Sequence, residues 1–447
     1  MARKEELARK WDRTLDYLYN KRPAFERQGA SGYKPGLDTS IALDKMYDEP
    51  HRHYRIIHIA GTNGKGSTAH MLASCLQECG YRVGLFTSPH LTDFRERIRV
   101  NGRKVSRNFV MQWVDDYQTR MKKRKRGKSA IKPTFFELIS TMAFDYFAKR
   151  NVNIAVIETG LGGRLDSTNI VTPELSIITN IGLEHQQFLG DTLEEIAREK
   201  AGIIKHGQPV VIGRAEGVVR DVFKAEAKRL YAEIKFAQDK PEVTGAAHVN
   251  GFLHVMTKSY GTIDCELTGN YQVENVNTVL TAITILKRLK YRIKTEAIQQ
   301  GFTNVVANTG LMGRWMKLGE KPLTICDSAH NPPGMAQVLA QLKREPHDRL
   351  HFVLGFMGDK DISTMLDMFP KSAGFYFTQA QTSRSMTAQD LREKAASIGI
   401  HGDAFNHVTE ALEAARAAAS KKDLIYVGGS MYVLAELLTA LGYGDRP

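Results

Sequence analysis

Cysteine is scarce: Cys75, Cys79, Cys265 and Cys326 are the only four in 447 residues. So few excludes a disulfide-stapled scaffold and fits a reducing compartment. Cys75 and Cys79 fall four apart in a helical pattern, where reduced core thiols are commoner than a metal pair, and neither Cys265 nor Cys326 has a companion at ligand spacing. Long apolar runs are missing as well. No stretch reaches the roughly 18 uninterrupted apolar residues that a membrane span requires, and Met1 to Arg22 is charged and amphipathic without the apolar core of a signal peptide. These absences predict a cytoplasmic protein with no membrane partner. There is no repeat at solenoid periods and no low-complexity tract beyond one basic run.

Acidic residues are in deficit, 49 Asp+Glu against 62 Lys+Arg, a formal charge of +13. That balance favours polyanionic partners: nucleotide phosphates, carboxylate-rich metabolites, nucleic acid or anionic membrane. Part of the excess is Arg120 to Lys128 (RMKKRKRGK), which has no interleaved aromatics and reads as a solvated loop before it reads as a nucleic-acid patch. A hydrophobic share of 42% and a charged share of 25% describe an ordinary folded chain. The length predicts two or three domains.

Residues 54 to 59 (YRIIHI) form a short β-branched run that feeds Gly61, and Ser67 to Glu78 has helical spacing, which makes a strand, a glycine loop and a helix. The apolar run Val83 to Phe86 precedes Ser88. Ile154 to Glu158 leads as a strand into Thr159-Gly160-Leu161-Gly162-Gly163, and Leu175 to Asn180 leads into Ile181-Gly182. Strands alternating with helices argue a parallel sheet with crossover helices. Thr278 to Leu289 and Lys294 to Phe302 read as helices, and Asn308-Thr309-Gly310 as a linker. Beyond it, Leu323 to Cys326, His351 to Leu354, Gly374 to Thr378 and Leu424 to Val427 read as strands separated by helical segments such as Val408 to Ala419, which predicts a second, smaller α/β domain.

The strongest chemical signal is Gly61-Thr62-Asn63-Gly64-Lys65-Gly66-Ser67-Thr68. Glycines let successive backbone N–H groups converge on phosphate oxygens, the helix start adds positive potential, Lys65 supplies a point charge, and Ser67 or Thr68 can reach a metal or phosphate. The segment predicts a nucleoside triphosphate site. Its spacing departs from the common P-loop: the first glycine precedes Gly64 by three residues instead of five, and Gly66 separates the lysine from the hydroxyl.

This loop resembles that of the Mur ligase superfamily, and the extra glycine in Gly64-Lys65-Gly66-Ser67 is typical of its folylpolyglutamate synthase and dihydrofolate synthase branch. Matching segments follow in order: Thr87 to Leu91 (TSPHL), Phe94 to Ile98 (FRERI), Glu158 to Asp166 (ETGLGGRLD), Glu199 to Lys205 (EKAGIIK) and Asp327 to Pro332 (DSAHNP). The resemblance covers nearly the whole chain. It implies an α/β fold of Mur ligase architecture, with residues 1–308 as a P-loop ATPase domain on a parallel sheet and 309–447 as a smaller Rossmann-like domain. It also implies an ATP-dependent amide ligase that adds L-glutamate to dihydropteroate, (tetrahydro)folate or both through an acyl phosphate, acting as a monomer on small molecules without nucleic acid.

The resemblance carries roles onto residues one by one. ATP falls to Gly61 through Thr68, to Asn275 in Gly269-Asn270-Tyr271-Gln272-Val273-Glu274-Asn275, to Arg314 and to Asp327 at the ribose; Tyr271 stands where histidine is usual. Oxygen-ligated Mg²⁺, in one or two ions, falls to Ser88, Glu158 and His185, which the strand reading gathers at one sheet edge. Glu184, before that histidine, stands where aspartate is more frequent. Lys200 corresponds to a lysine carbamylated by CO₂, able to support a second magnesium. His330 and Ser430 fall at the incoming glutamate, and Lys65, Lys200 and His330 form the catalytic set. Each residue also has a purely structural reading: Ser88 as a cap before Pro89, Glu158 as an ion-pair partner, Lys200 as a cation near a helix C-terminus, Arg314 as a hinge arginine, Ser430 in a Gly-Gly turn. Arg95, Arg97 and Arg164 could neutralise carboxylates or pair with Glu96 and Asp166, with pairing preferred for Arg97. Phe25 to Leu37 is a candidate for the pterin pocket.

Two other functions compete. A different Mur-type ligase would act on a UDP-muramyl precursor, against which stand the lysine-glycine-serine spacing and Ser88-Pro89-His90-Leu91. A basic P-loop ATPase that binds nucleic acid would need an aromatic stacking platform that the chain lacks.

Overall fold

The computed structural model describes residues 2–24, 28, 32, 34–124, 131–358 and 362–445. Two open sheets dominate. The first contains β1 (Arg55–Ala60), β2 (Val83–Phe86), β3 (Ile98–Val100), β4 (Arg103–Lys104), β5 (Ile154–Glu158), β6 (Leu175–Ile178), β7 (Val210–Ile212) and β8 (Ile234–Phe236) in the order β4-β3-β2-β5-β1-β6-β7-β8. From β2 to β8 every pairing is parallel; β3 and β4 add an antiparallel edge.

Parallel strands are buried on both faces, so their residues read as continuous apolar runs. In β1 alternate side chains enter different cores. Ile57 and Ile59 join the layer under helices Lys65–Glu78, Gln272–Arg288 and Thr295–Thr303, while Ile56 joins the layer under Ala2–Asn20, Arg107–Arg124 and Phe135–Lys149. Phe135–Lys149 is held at its start by a capping box in which the Thr134 hydroxyl accepts from Glu137 N–H and the Glu137 carboxylate accepts from Thr134 N–H. No helix among the described residues is long and apolar enough to cross a membrane.

A three-stranded antiparallel sheet, β9 (Val243–Val249), β10 (Phe252–Thr257) and β11 (Thr262–Cys265), packs its buried residues onto the first of these cores. The segment Asn308-Thr309-Gly310, read from the sequence as a linker, includes the end of a short helix. Residues Val305–Thr309 form a short helix that Gly310 ends at φ 66°, and the Thr309 hydroxyl bonds back to Val305 O at 2.5 Å and meets His70 Nδ1 at 2.8 Å.

The second sheet takes its strands from residues 316 to 428: β12 (Met316–Glu320), β13 (Leu323–Cys326), β14 (Leu350–Leu354), β15 (Gly374–Phe377), β16 (Asp403–Ala404) and β17 (Leu424–Gly428), ordered β12-β13-β17-β14-β15-β16. All are parallel except β12. The cleft between this lobe and the first receives loops from the carboxyl ends of β1, β5, β6, β13 and β17, which is where open α/β sheets place ligands.

Candidate active site

The cleft has a volume of about 680 Å³. Its floor is the loop after β1. Gly64, at φ 84°, precedes the helix Lys65–Glu78, and a Cβ there would sit 2.3 Å from Asn275 Oδ1. Gly61, at φ 146°, lies under Thr179, whose hydroxyl a Cβ would strike. Glycine is required at both points by conformation and by contact. The loop is anchored on β6: Thr62 N–H donates to Asn180 O, Asn63 N–H to Asn180 Oδ1, and Thr179 Oγ1 to Asn63 O, all between 2.6 and 2.9 Å. Lys65 folds over the loop, donating to Gly61 O at 2.9 Å and Thr62 O at 3.1 Å. Thr62 to Ser67 line the cleft; Thr68 is fully buried, its hydroxyl without a hydrogen-bond partner among the described residues.

Glu158 ends β5 beside that loop, 3% exposed. Among the described residues its carboxylate accepts one hydrogen bond, from Ser88 N–H to Oε2 at 3.1 Å. Burial raises its pKa, and Lys65, the Ser88 N–H and Arg314 oppose the rise. A buried carboxylate with one hydrogen-bond donor has lone pairs left over, which suit a hard, oxygen-preferring cation; the Ser88 hydroxyl suits the same ion. Ser88, Glu158 and His185 all line the cleft. His185 is half-buried at φ 52°, with Nε2 3.6 Å from Glu184 Oε1. No group of three or more His, Cys, Asp and Glu that could hold a metal occurs among the described residues. These donors fit magnesium.

Lys200 is 3% exposed and donates to Gly61 O at 2.8 Å. Burial, with Lys65 adding to it, lowers its pKa from 10.5 to about 7, against the pull of Glu184 and Asp166. A substantial fraction of the amine is therefore uncharged near neutrality. The Gly160 to Asp166 segment explains how the lysine reaches this place. Asp166 Oδ2 accepts from Gly160 and Leu161 N–H, both at 2.8 Å, closing the loop. A Cβ on Gly163 would meet Glu199 O at 2.8 Å, and one on Gly202 would meet Arg164 Cα at 2.4 Å. The glycines let the lysine's helix, Leu193–Ala201, lie directly against the loop. Its start is a Thr192/Glu195 capping box.

The arginine pairings expected from the sequence are corrected in part. Arg164 pairs with Glu199, at 2.7 Å, because Asp166 is occupied by backbone amides and Thr168. Arg95 pairs with Asp93. Glu96 accepts from Leu91, Thr92 and Asp93 N–H groups as the return arm of a capping box, and buried Arg97 donates from Nε to His90 Nδ1 at 2.7 Å.

Arg314, Asp327, His330 and Ser430 are among the residues that line the cleft from the second lobe. Arg314 donates to Ser328 Oγ, and its guanidinium lies 3.7 Å from where a Gly66 Cβ would be. His330 Nε2 meets Glu184 Oε1 at 3.1 Å and its Nδ1 meets Ser328 O at 3.0 Å. Burial alone would raise the Glu184 pKa; the His330 hydrogen bond and charge, with His185 and Lys65, hold it well below the usual carboxylate range. Asp327 is buried, with Tyr271 O–H (2.5 Å) and Trp315 N–H (2.7 Å) on Oδ2 and Ala329 N–H (2.8 Å) on Oδ1. Ser430 is the N-cap of Met431–Ala440, accepting from Tyr432 N–H.

Sequence reasoning did not single out Gln272, whose side chain donates to Ser67 Oγ at 3.2 Å, or Asn331, which caps the helix Pro332–Leu342. Asn331 had a signal, a cap residue followed by proline at the first helical position; Gln272 had none. Of the Phe25 to Leu37 candidate segment, residues 25–27, 29–31 and 33 lie outside the described residues. Gly32 and Lys34 line the cleft beside Phe135 and Phe136. Residues 125–128 of the basic run also lie outside; Arg120 and Met121 belong to the helix Arg107–Arg124.

Two domain models match: the Mur ligase middle domain over residues 59–283 and the Mur ligase glutamate ligase domain over residues 313–431. The fold and the two-lobed cleft thus define an ATP-dependent ligase of the Mur type. The chain is 33% identical over 416 residues to the dihydrofolate synthase/folylpolyglutamate synthase of Bacillus subtilis, covering 91% of this chain and 95% of that one. It is 34% identical over 414 residues, 91% of this chain, to a probable bifunctional folylpolyglutamate synthase/dihydropteroate synthase of Haloferax volcanii, and spans about half that protein's length, 48%. Among solved structures it matches E. coli FolC in complex with DHPP and ADP with a TM-score of 0.82 at 27% identity over 98% of each chain. The chain belongs to the folylpolyglutamate synthase/dihydrofolate synthase family of Mur ligases.

Proposed function

We propose that this protein uses ATP to activate the carboxylate of a pteroate or folate substrate and joins it to the amine of L-glutamate, accepting both dihydropteroate and reduced folate. The supporting observation is the meeting of Arg314 and His330, from the second lobe, with the phosphate loop, Glu158 and Lys200 in one cleft.

The chemistry balances in two displacements. A substrate carboxylate oxygen bonds to the γ-phosphorus as the bond to ADP breaks, and the glutamate nitrogen then bonds to the acyl carbon while phosphate leaves and the amine gives up a proton. Such a transfer needs positioning and charge stabilisation more than covalent help. Backbone N–H groups of Gly64 to Ser67, Lys65, Asn275 and Arg314 bind the triphosphate, with the Arg314 fork suited to its oxygens. Ser88, Glu158 and His185 would hold magnesium, which supplies neutralisation of the phosphate charge when bound. Lys200, by taking up CO₂ at its neutral amine and releasing a proton, would become an anionic carbamate able to support a second ion. Asp327 is assigned to the ribose, and His330 and Ser430 to the incoming glutamate.

The reading divides the chain at 308/309 into an ATPase domain and a smaller domain that close about Gly310. Closure excludes water, to which an acyl phosphate would be lost. The protein acts in this reading as a monomer in the cytoplasm. The test is phosphate release with ATP and L-glutamate, offering dihydropteroate, tetrahydrofolate and a muramyl precursor in turn. Release with the first two supports the proposal; release with the muramyl compound alone overturns it.

A further inference from the structure

Gln341 lies one helical turn beyond the cleft-lining Gln337 on the helix Pro332–Leu342; it is 1% exposed and its amide is used at both ends across the lobe boundary. Its Oε1 accepts from Asn270 N–H at 2.6 Å and its Nε2 donates to Thr268 O at 3.0 Å. The two backbone partners fix the amide's orientation, since a carbonyl needs the donor and an N–H the acceptor. One residue on, Tyr271 packs against the second lobe's core and gives its hydroxyl to Asp327. A four-residue turn of the first lobe is thus held by the second.

That turn leads straight into the helix Gln272–Arg288, whose first residues touch the phosphate loop. Gln272 N–H donates to Gly269 O at 2.8 Å and Val273 N–H to Asn270 O at 3.2 Å, so the turn and the start of the helix Gln272–Arg288 form one hydrogen-bonded unit. Gln272 is fully buried. Its Nε2 donates to Ser67 Oγ and its Oε1 accepts from Asn275 Nδ2 at 2.8 Å, while Asn275 Oδ1 fills the space that a side chain at Gly64 would need. The contacts run without a gap from Gln341 through Thr268–Tyr271 and Gln272/Asn275 to Gly64 and Ser67.

We propose that Gln341 is a positioning residue whose grip on Thr268 and Asn270 carries the seating of the second lobe to the phosphate loop, so that the loop holds its nucleotide-binding geometry only when that lobe is docked. The idea rests on the nucleotide site of the proposed function but not on its acid substrate or amino acid. A side chain that served only to fill the second lobe would leave the loop indifferent to its loss.

Hydrogen exchange by mass spectrometry on the full chain, with and without Mg·ADP, separates the two. Gln341→Met keeps volume and removes both bonds, while Tyr271→Phe removes one hydroxyl and keeps the core intact should the first variant fold poorly. In both, exchange should rise in residues 268–275 and in 61–68, and ADP affinity measured by calorimetry should weaken about two- to thirtyfold. Changes confined to residues 332–342 with unaltered ADP affinity overturn the proposal, and so does faster exchange that stops at residue 275. Because ADP binding is read without acid or glutamate, failure of the ligase assay would leave this result standing.

Discussion

Asn63, in the phosphate loop, and Asn331, at the start of a second-lobe helix, exchange two side-chain hydrogen bonds across the cleft, each amide nitrogen donating to the other's oxygen, at 3.3 and 2.9 Å. Asn331 Oδ1 also accepts from Gly334 N–H. One residue therefore caps a helix and ties the lobes together. Asn331→Ala should cost about 1 kcal/mol through the cap, seen in urea unfolding, whereas Asn63→Ala should leave that stability within about 0.5 kcal/mol. Both should slow glutamate-dependent phosphate release. Equal stability losses would show that the cap is not what Asn331 contributes.

Lys200 is buried with an amine that burial holds near pKa 7. Uptake of CO₂ needs the neutral amine, so the carbamate should grow in as pH rises through 7. The measurement is the carbonyl ¹³C signal of protein equilibrated with ¹³C-bicarbonate, against Lys200→Ala as blank. The variant should lose ligation and recover part of it with added short carboxylates; full activity without them would remove the carbamate from the mechanism.

His58, in the middle of β1, supplies a pH dependence of stability. Its Nε2 lies 2.8 Å from Thr168 Oγ1, whose hydrogen goes to Asp166, and its buried Nδ1 has no hydrogen-bond partner among the described residues. Burial, aided by Lys205, lowers the pKa to about 3. Between about 3 and 6.5 the unfolded chain binds a proton that the folded chain refuses, so stability falls as pH drops through that window. At pH 5 the loss should be about 2 kcal/mol relative to pH 8. A His58→Gln variant should lack this part of the slope in urea titrations at the two pH values.

Gly202 has an ordinary φ of −59°, so its requirement is space and not conformation. Gly202→Ala would drive a methyl into the Arg164 backbone and push the Lys200 helix off the Gly160 to Asp166 loop. The expected cost is about 1–3 kcal/mol, with a larger fractional loss of kcat than of ATP affinity. Gly207→Ala, where nothing lies within 4 Å but φ is 68°, should cost stability without touching kcat.

Local pattern made much of the frame legible. The strands Val83–Phe86, Ile154–Glu158 and Leu323–Cys326 stand where apolar runs placed them, since strands buried on both faces need no partner to be recognised. The antiparallel sheet β9 to β11 escaped notice because β9 is mostly exposed and its alternation is faint. Asn250-Gly251 between β9 and β10 was the available signal. Within the site, the phosphate loop is contiguous and readable, whereas the Glu184–His330 contact joins residues 146 positions apart.

Taken alone, the order of residues determined the glycine loop, the strand ends that carry Glu158 and Asp327, and the helix caps, because each depends on neighbours a few positions away. Only the folded chain decided that Lys200 is buried against Gly61, that Arg314 reaches over Gly66, and that Asp166 serves backbone amides while Arg164 turns to Glu199. These outcomes depend on which elements pack together and how closely. Desolvation and Coulomb interaction act through that distance in space, and spacing along the chain does not encode it.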